Sequence, residues 1–261
     1  MIAHGCGGIE PDYIYTDSIE AMNTSYINGI RLFDVDVRFS SDDKLIIRHD
    51  WTGVDLGQPE LEYLRHLNKD DVSVDKYGHE QLPKEVLPTE NEFKDILIHG
   101  KYHAISFQDI YLWWKMHTDT WIVLDVKENV IESYKYIVEN YKDDKDFMDS
   151  IVVSLYDSKD MKNVLKLYSF KNRMLREHDV YPLDMKKFVN SCKECDVQAA
   201  NINISFFNDR NLQYIKKLRK NNIKIYWAVE NDREEYFKYF LNDGVISDWI
   251  TEDSVVEMLR Q

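Results

Sequence analysis

Two carboxylates, Asp34 and Asp36, stand two residues apart within the apolar run at residues 30–37. A strand has a side-chain period of two, so both project from one face. Held that close, like charges raise one carboxyl's pKa, and a hard divalent cation with oxygen ligands is the natural occupant of the space between them. His4 closes the short apolar run at residues 2–3. After Arg38 the chain turns through Ser40-Ser41-Asp42-Asp43 and returns as Leu45-Ile46-Ile47-Arg48-His49-Asp50. This predicts a hairpin that brings His49 back beside the acidic pair. Two imidazoles there could accept and donate protons near neutral pH. A third run, Trp121-Ile122-Val123-Leu124-Asp125-Val126-Lys127, sets Asp125 and Lys127 on one face. The two could simply pair, or Asp125 could complete an oxygen-ligand set while Lys127 meets phosphoryl oxygens, and spacing does not decide between these.

The elements that must position these residues are legible as a recurring unit, a short apolar run followed by an amphipathic stretch. The runs fall at residues 2–3, 30–37, 121–126, 151–155, 173–175, 197–201, 223–229 and 244–246. Helix candidates lie between them at 17–28, 130–141, 159–168, 185–192, 211–220 and 233–241. Repeated βα units of this kind predict an α/β fold, a (β/α)₈ TIM barrel whose active site lies at the carboxyl ends of the strands. Residues 51–120 are too long for an ordinary connection and read as an insertion after the second strand and its hairpin. Pro83 and Pro88 predict irregular structure there before a helix around 107–117, and long loops of this kind commonly cover the active site. No linker composition interrupts the chain, so residues 1–261 are expected to form one domain.

Composition narrows the partners. With 33 Lys and Arg against 47 Asp and Glu, the formal net charge of −14 disfavours nucleic acid and anionic membrane surfaces. No apolar run is long enough to span a bilayer, and the first residues lack the pattern of a secretion signal, so no stable membrane insertion and a cytoplasmic location are expected. Three cysteines cannot all pair within one chain, which favours a reducing compartment. Cys192 and Cys195 have C-x-x-C spacing without a second ligand pair, so neither zinc nor redox chemistry is expected of them. Trp113 and Trp114 suit either an apolar lid or the core. Trp227, near the end of its run, is expected to face the site and pack on substrate.

Taken in order, these segments resemble the glycerophosphodiester phosphodiesterase family, within the wider group of phosphatidylinositol phospholipase C-like barrels. Ile2-Ala3-His4-Gly5-Cys6-Gly7-Gly8 resembles the family's first His motif, and Asp34-Val35-Asp36-Val37 through His49-Asp50-Trp51 its paired-acid strand and second His. Leu124-Asp125-Val126-Lys127 is similar to its acid-x-Lys strand, and Tyr226-Trp227-Ala228-Val229-Glu230-Asn231 with Gly244-Val245-Ile246-Ser247-Asp248 to its tail. Three departures stand out. Gly5 replaces the usual Arg after the first His, Asp34 and Asp125 are a methylene shorter than the Glu many members carry, and Thr16-Asp17-Ser18 stands where Glu-Asn-Thr is usual.

The resemblance implies hydrolysis of a small-molecule or lipid-derived glycerophosphodiester. It implies His4 and His49 as acid/base catalysts, with Asp34, Asp36 and Asp125 holding Mg²⁺ or Ca²⁺ and Lys127 binding the phosphoryl group. Two rival readings share the site: a lyase-like phospholipase that stops at a cyclic phosphate, and a degenerate barrel that binds a glycerophosphoryl or polysaccharide ligand without turnover.

Overall fold

The computed structural model describes residues 1–9, 16–52, 72–177, 184–203 and 211–228, with the backbone of 244–247. Among the described residues the frame is a set of eight parallel strands: β1 (Ile2–Ala3), β2 (Leu32–Phe39), β8 (Trp121–Val126), β9 (Ile151–Leu155), β10 (Asn172–Arg176), β11 (Ala199–Asn203), β12 (Lys224–Ala228) and β13 (Gly244–Ser247). Between β2 and β8 lie β3 (Leu45–Ile47), β4 (Ser73–Val74), β5 (Glu80–Gln81), β6 (Leu97–Ile98) and β7 (Tyr102–His103). β1 pairs with β13 on one side and with β2 on the other, so the curled sheet is TIM-barrel-like. β3 folds back antiparallel on β2, Val37 opposite Ile47, as the expected hairpin requires.

Helices alternate with the strands: α1 (Ile19–Ile27), α2 (Glu90–Lys94), α3 (Phe107–Met116), α4 (Val130–Tyr141), α5 (Lys145–Ser150), α6 (Ser158–Leu167), α7 (Met185–Glu194) and α8 (Leu212–Lys220). Their starts follow from side-chain caps that satisfy otherwise unpaired N–H groups. Ser18 accepts from Ala21, Asp144 from Phe147 and Asp157 from Asp160. The helix expected at 233–241 lies outside the described residues.

Strand alternation sorts the side chains into two layers. One face packs under the helices, with Phe33, Val35, Ile122, Leu124, Val153, Leu175, Ala200, Ile202 and Trp227 in one core. The other face points inward, where Ile2, Val123, Val152 and Met174 form a smaller apolar floor. The expected placement of Trp227 against the site is therefore corrected. Trp227 is fully buried in the helix-side core opposite Ile202, and its neighbour Tyr226 packs with the inner floor. Trp113 and Trp114 are likewise core residues, their indole N–H groups donating to Asn23 Oδ1 at 2.8 Å and to the Thr120 carbonyl at 3.2 Å.

Between β3 and α3 the chain builds two short hairpins, β4–β5 and β6–β7, and the single-turn α2, rather than only irregular structure. Ile46, Trp51, Phe93, Ile98, Tyr102 and Ala104 give this segment its own apolar cluster. Among the described residues no helix is long and apolar enough to cross a membrane.

Candidate active site

The inner face of β2 presents Asp34, Asp36 and Arg38 in succession, all buried. β8 runs beside it in a register that sets Asp36 opposite Asp125. Lys127, just beyond β8, places its Nζ 2.8 Å from Asp36 Oδ1 and 2.8 Å from Asp125 Oδ2. Tyr156, following β9, donates its hydroxyl to Asp125 Oδ1 at 3.1 Å. From β10, Arg176 reaches back over the small side chain of Ser154. Its Nε donates to Ser154 Oγ at 2.5 Å, Nη1 lies 3.2 Å from Asp125 Oδ2, and Nη2 pairs with Asp34 Oδ1. Among the described residues, three carboxylates and two cations thus meet inside the sheet, from the middle of β2 and the carboxyl ends of β8 and β10, with Lys127 and Arg176 both at most 5% exposed.

Burial pushes every charge here toward neutrality, and the neighbours decide the outcome. For Asp36 burial works upward, but Lys127 and His49 overcome it and hold the carboxyl at about 2. Asp125 is likewise held well below the ordinary range by Arg176 and Lys127 against its burial. Burial wins for Asp34, which is raised despite Arg176. Lys127 and Arg176 are both held charged, their burial overcome by Asp125 with Asp36 and Asp34 respectively.

The histidines approach from two turns. His4 leaves β1 in a tight turn that needs left-handed backbone at Gly5 (φ 52°), Cys6 (φ 66°) and Gly7 (φ 93°). Glycine adopts that region without steric cost, whereas Cys6 holds it with a side chain. Ser25 Oγ donates to the Cys6 carbonyl at 3.1 Å and pins the turn to α1. His4 favours ionisation of both Asp34 and Asp36. His49, beyond β3, has Nδ1 2.7 Å from Asp50 Oδ2, while its carbonyl accepts from Arg38 Nε at 2.7 Å. Arg38 is itself fully buried and anchored by Glu128 Oε2 at 3.4 Å and the Glu80 carbonyl at 2.7 Å.

His79 was not singled out in the sequence. From the turn of β4–β5 its ring lies 6.5 Å from that of His49 and 5.6 Å from that of Tyr156. Its Nδ1 is 3.3 Å from Asp75 Oδ2, and burial with Lys127 nearby pushes it down to about 4, so the ring is neutral at neutral pH. Tyr77 of the same hairpin stacks on Tyr156 at 4.7 Å. A cleft of about 570 Å³ adjoins the cluster, lined by Tyr77, Tyr156, Asp157, Arg176, Glu177 and Lys187 among others.

The expected metal ligands Asp34, Asp36 and Asp125 are brought together, and Asp34 Oδ2 is a buried oxygen without a hydrogen-bond partner among the described residues. As arranged, however, the three carboxylates do not fit a divalent ion. Each has a side-chain cation against it, two of them share Lys127, and Arg176 spans Asp34 and Asp125. Among the described residues no group of three or more His, Cys, Asp and Glu is disposed to hold a metal ion. Cys6, Cys192 and Cys195 are buried, with no disulfide between them.

The family model for the glycerophosphoryl diester phosphodiesterase family matches residues 8–252. No curated protein matches the chain. Solved structures of similar shape include a glycerophosphodiester phosphodiesterase from Parabacteroides distasonis, 12% identical with a TM-score of 0.70 over 99% of this chain and 96% of that one. One from Thermotoga maritima is 16% identical with a TM-score of 0.66 over 100% and 97% of the two chains. An Oleispira antarctica phosphodiesterase, solved with the product sn-glycerol-3-phosphate, is 15% identical with a TM-score of 0.70 over 100% and 96%.

Proposed function

Because the chain belongs to the glycerophosphoryl diester phosphodiesterase family and is a phosphoric diester hydrolase, we propose that it cleaves a glycerophosphodiester to glycerol phosphate and an alcohol by His4/His49 acid/base catalysis. The observation that carries this reading is the buried cluster of Asp36, Asp125 and Lys127 inside the sheet, with His4 and His49 both near enough to favour the ionised form of Asp36. Residues 1–261 would act as one barrel domain, with the segment at about 51–120 as an insertion that walls the site through His79 and Tyr77.

In this reading the substrate's own glycerol hydroxyl attacks phosphorus. One histidine takes its proton and the other protonates the departing alcohol, after which water opens the cyclic phosphate by the reverse assignment. With Nδ1 engaged by Asp50, His49 would work through Nε2, and we assign it the role of acid and His4 that of base. Lys127 would supply fixed positive charge to the phosphoryl oxygens. The cleft lined by Tyr156 and Arg176 would take the alcohol portion. That the Oleispira antarctica structure holds sn-glycerol-3-phosphate supports glycerol phosphate as product.

The test is release of glycerol phosphate from diesters with choline, ethanolamine, inositol or glycerol head groups. A cyclic phosphate that persists would favour the lyase reading. Ligand-induced stabilisation without turnover would favour a binding barrel.

A further inference from the structure

Arg176 stands in the middle of the residues expected to hold a metal, and it touches two of the three. Its guanidinium is fixed on three sides: by Ser154 Oγ beneath it, by Asp34 of β2 and by Asp125 of β8. To do this it crosses from β10 over the whole of β9, a path open because the β9 residue in register with Asp125 is Ser154. A larger side chain there would block it.

Resting on the phosphodiesterase reading above, we infer that Arg176 is a built-in cation that takes the place of the divalent ion between Asp34 and Asp125, so that this site works without Mg²⁺ or Ca²⁺. Charge and shape both support it. Among the described residues of the cluster, three carboxylates face the two cations Lys127 and Arg176, and a further double positive charge would turn this buried group net positive. Without Arg176 the same three carboxylates would face one cation, the balance that a divalent ion with carboxylate ligands satisfies. A guanidinium is permanently charged, and its planar fork of donors matches carboxylates and phosphates alike. The departures in the sequence agree. Asp34 and Asp125 are the positions where the shorter acid stands in place of Glu, and the long arginine side chain occupies the space between them. Arg176 also lines the adjoining cleft, so the charge that holds the two acids is at the wall where a phosphoryl group would enter.

The test is isothermal titration of the full chain with Mg²⁺ and with Ca²⁺, comparing wild type, Asp34→Asn and Arg176→Met, with thermal unfolding of each in chelator and in metal. The wild type is expected to bind neither ion in the millimolar range and to show the same unfolding midpoint in chelator and in metal. Arg176→Met, which frees Asp34 and Asp125, is expected to acquire metal binding and to be stabilised by the ion. Wild-type binding of Mg²⁺ or Ca²⁺ that Asp34→Asn abolishes would overturn the inference. If Arg176→Met does not fold without metal, the wild-type and Asp34→Asn titrations decide alone. Turnover of a glycerophosphodiester in chelator provides a separate readout. A wild type that cleaves nothing with or without metal counts against the proposed function, while the titrations still judge Arg176.

Discussion

Asp36 and Asp125 stand opposite each other across β2 and β8, and a single ammonium, Lys127 Nζ, serves both at 2.8 Å. The pairing answers a question that spacing alone left open. Lys127 does neutralise Asp125 of β8, the strand it follows, and the same ammonium also bridges to Asp36 on β2. Removing it leaves two buried carboxylates in register. Lys127→Met should cost about 3–5 kcal/mol in denaturant unfolding, the usual penalty for stripping one partner from a buried ion pair. The same variant should lose turnover by about 10²-fold or more. Unchanged stability would mean that the bridge is not formed in solution.

The two histidines should behave differently from the lysine. His49 is partly exposed and His4 half-buried, so neither carries much of the core. His49→Ala and His4→Ala should each reduce kcat by roughly 10²- to 10⁴-fold, with little change in Tm. A leaving group that needs no protonation should recover much of the loss in whichever variant lacks the acid. Asp50→Asn should produce a smaller decrease in kcat, because it weakens only the contact that fixes the His49 ring.

His79 predicts a pH dependence of stability with a definite sign. Its folded pKa is about 4 against an ordinary value of 6.5, lowered by burial and by Lys127. Between these values the unfolded chain binds the proton that the folded chain refuses. The contribution is therefore whole above about 6.5 and is lost as pH falls toward about 4. Urea unfolding across that window should show stability decreasing with acid, and His79→Gln should flatten the slope. Identical slopes in the two proteins would exclude His79 as its source.

At Gly7 the turn that presents His4 leaves no room for a side chain. A Cβ there would lie 2.1 Å from Ser25 Oγ, and the backbone has φ +93°. Gly7→Ala should destabilise the protein by about 1–3 kcal/mol through backbone strain alone and should lower kcat by displacing His4. Gly7→Ala combined with Ser25→Ala relieves the contact but not the strain, so it should recover only part of the stability.

The parallel strands were legible because buried strands leave uninterrupted apolar runs, and residues 121–126 and 151–155 have the same limits in the sequence and in the structure. Asp34, Asp36, Asp125 and Lys127 were legible because polar residues at alternate positions in such runs have few other uses. Arg38 carried the same signal, two residues after Asp36 on the same face, and could have been read from it. Arg176 escapes the pattern because the apolar run ends at Leu175, one residue short. His79 had no comparable mark, since two-residue strands such as β4 and β5 are held by contacts distant in the chain, not by local pattern. Apolarity alone puts Trp227 on the wrong face, because strand limits read from it do not fix parity and a one-residue shift exchanges inside for outside.

The most direct test of the whole reading is a turnover assay on glycerophosphocholine, glycerophosphoethanolamine, glycerophosphoinositol and glycerophosphoglycerol, following glycerol phosphate release by the wild type and by His49→Ala. The wild type is expected to cleave at least one of these to glycerol phosphate and free alcohol, and His49→Ala to bind the same diester but cleave it roughly 10²- to 10⁴-fold more slowly. Cleavage by His49→Ala at the wild-type rate, or no cleavage of any of the four by a folded wild-type protein, would contradict it.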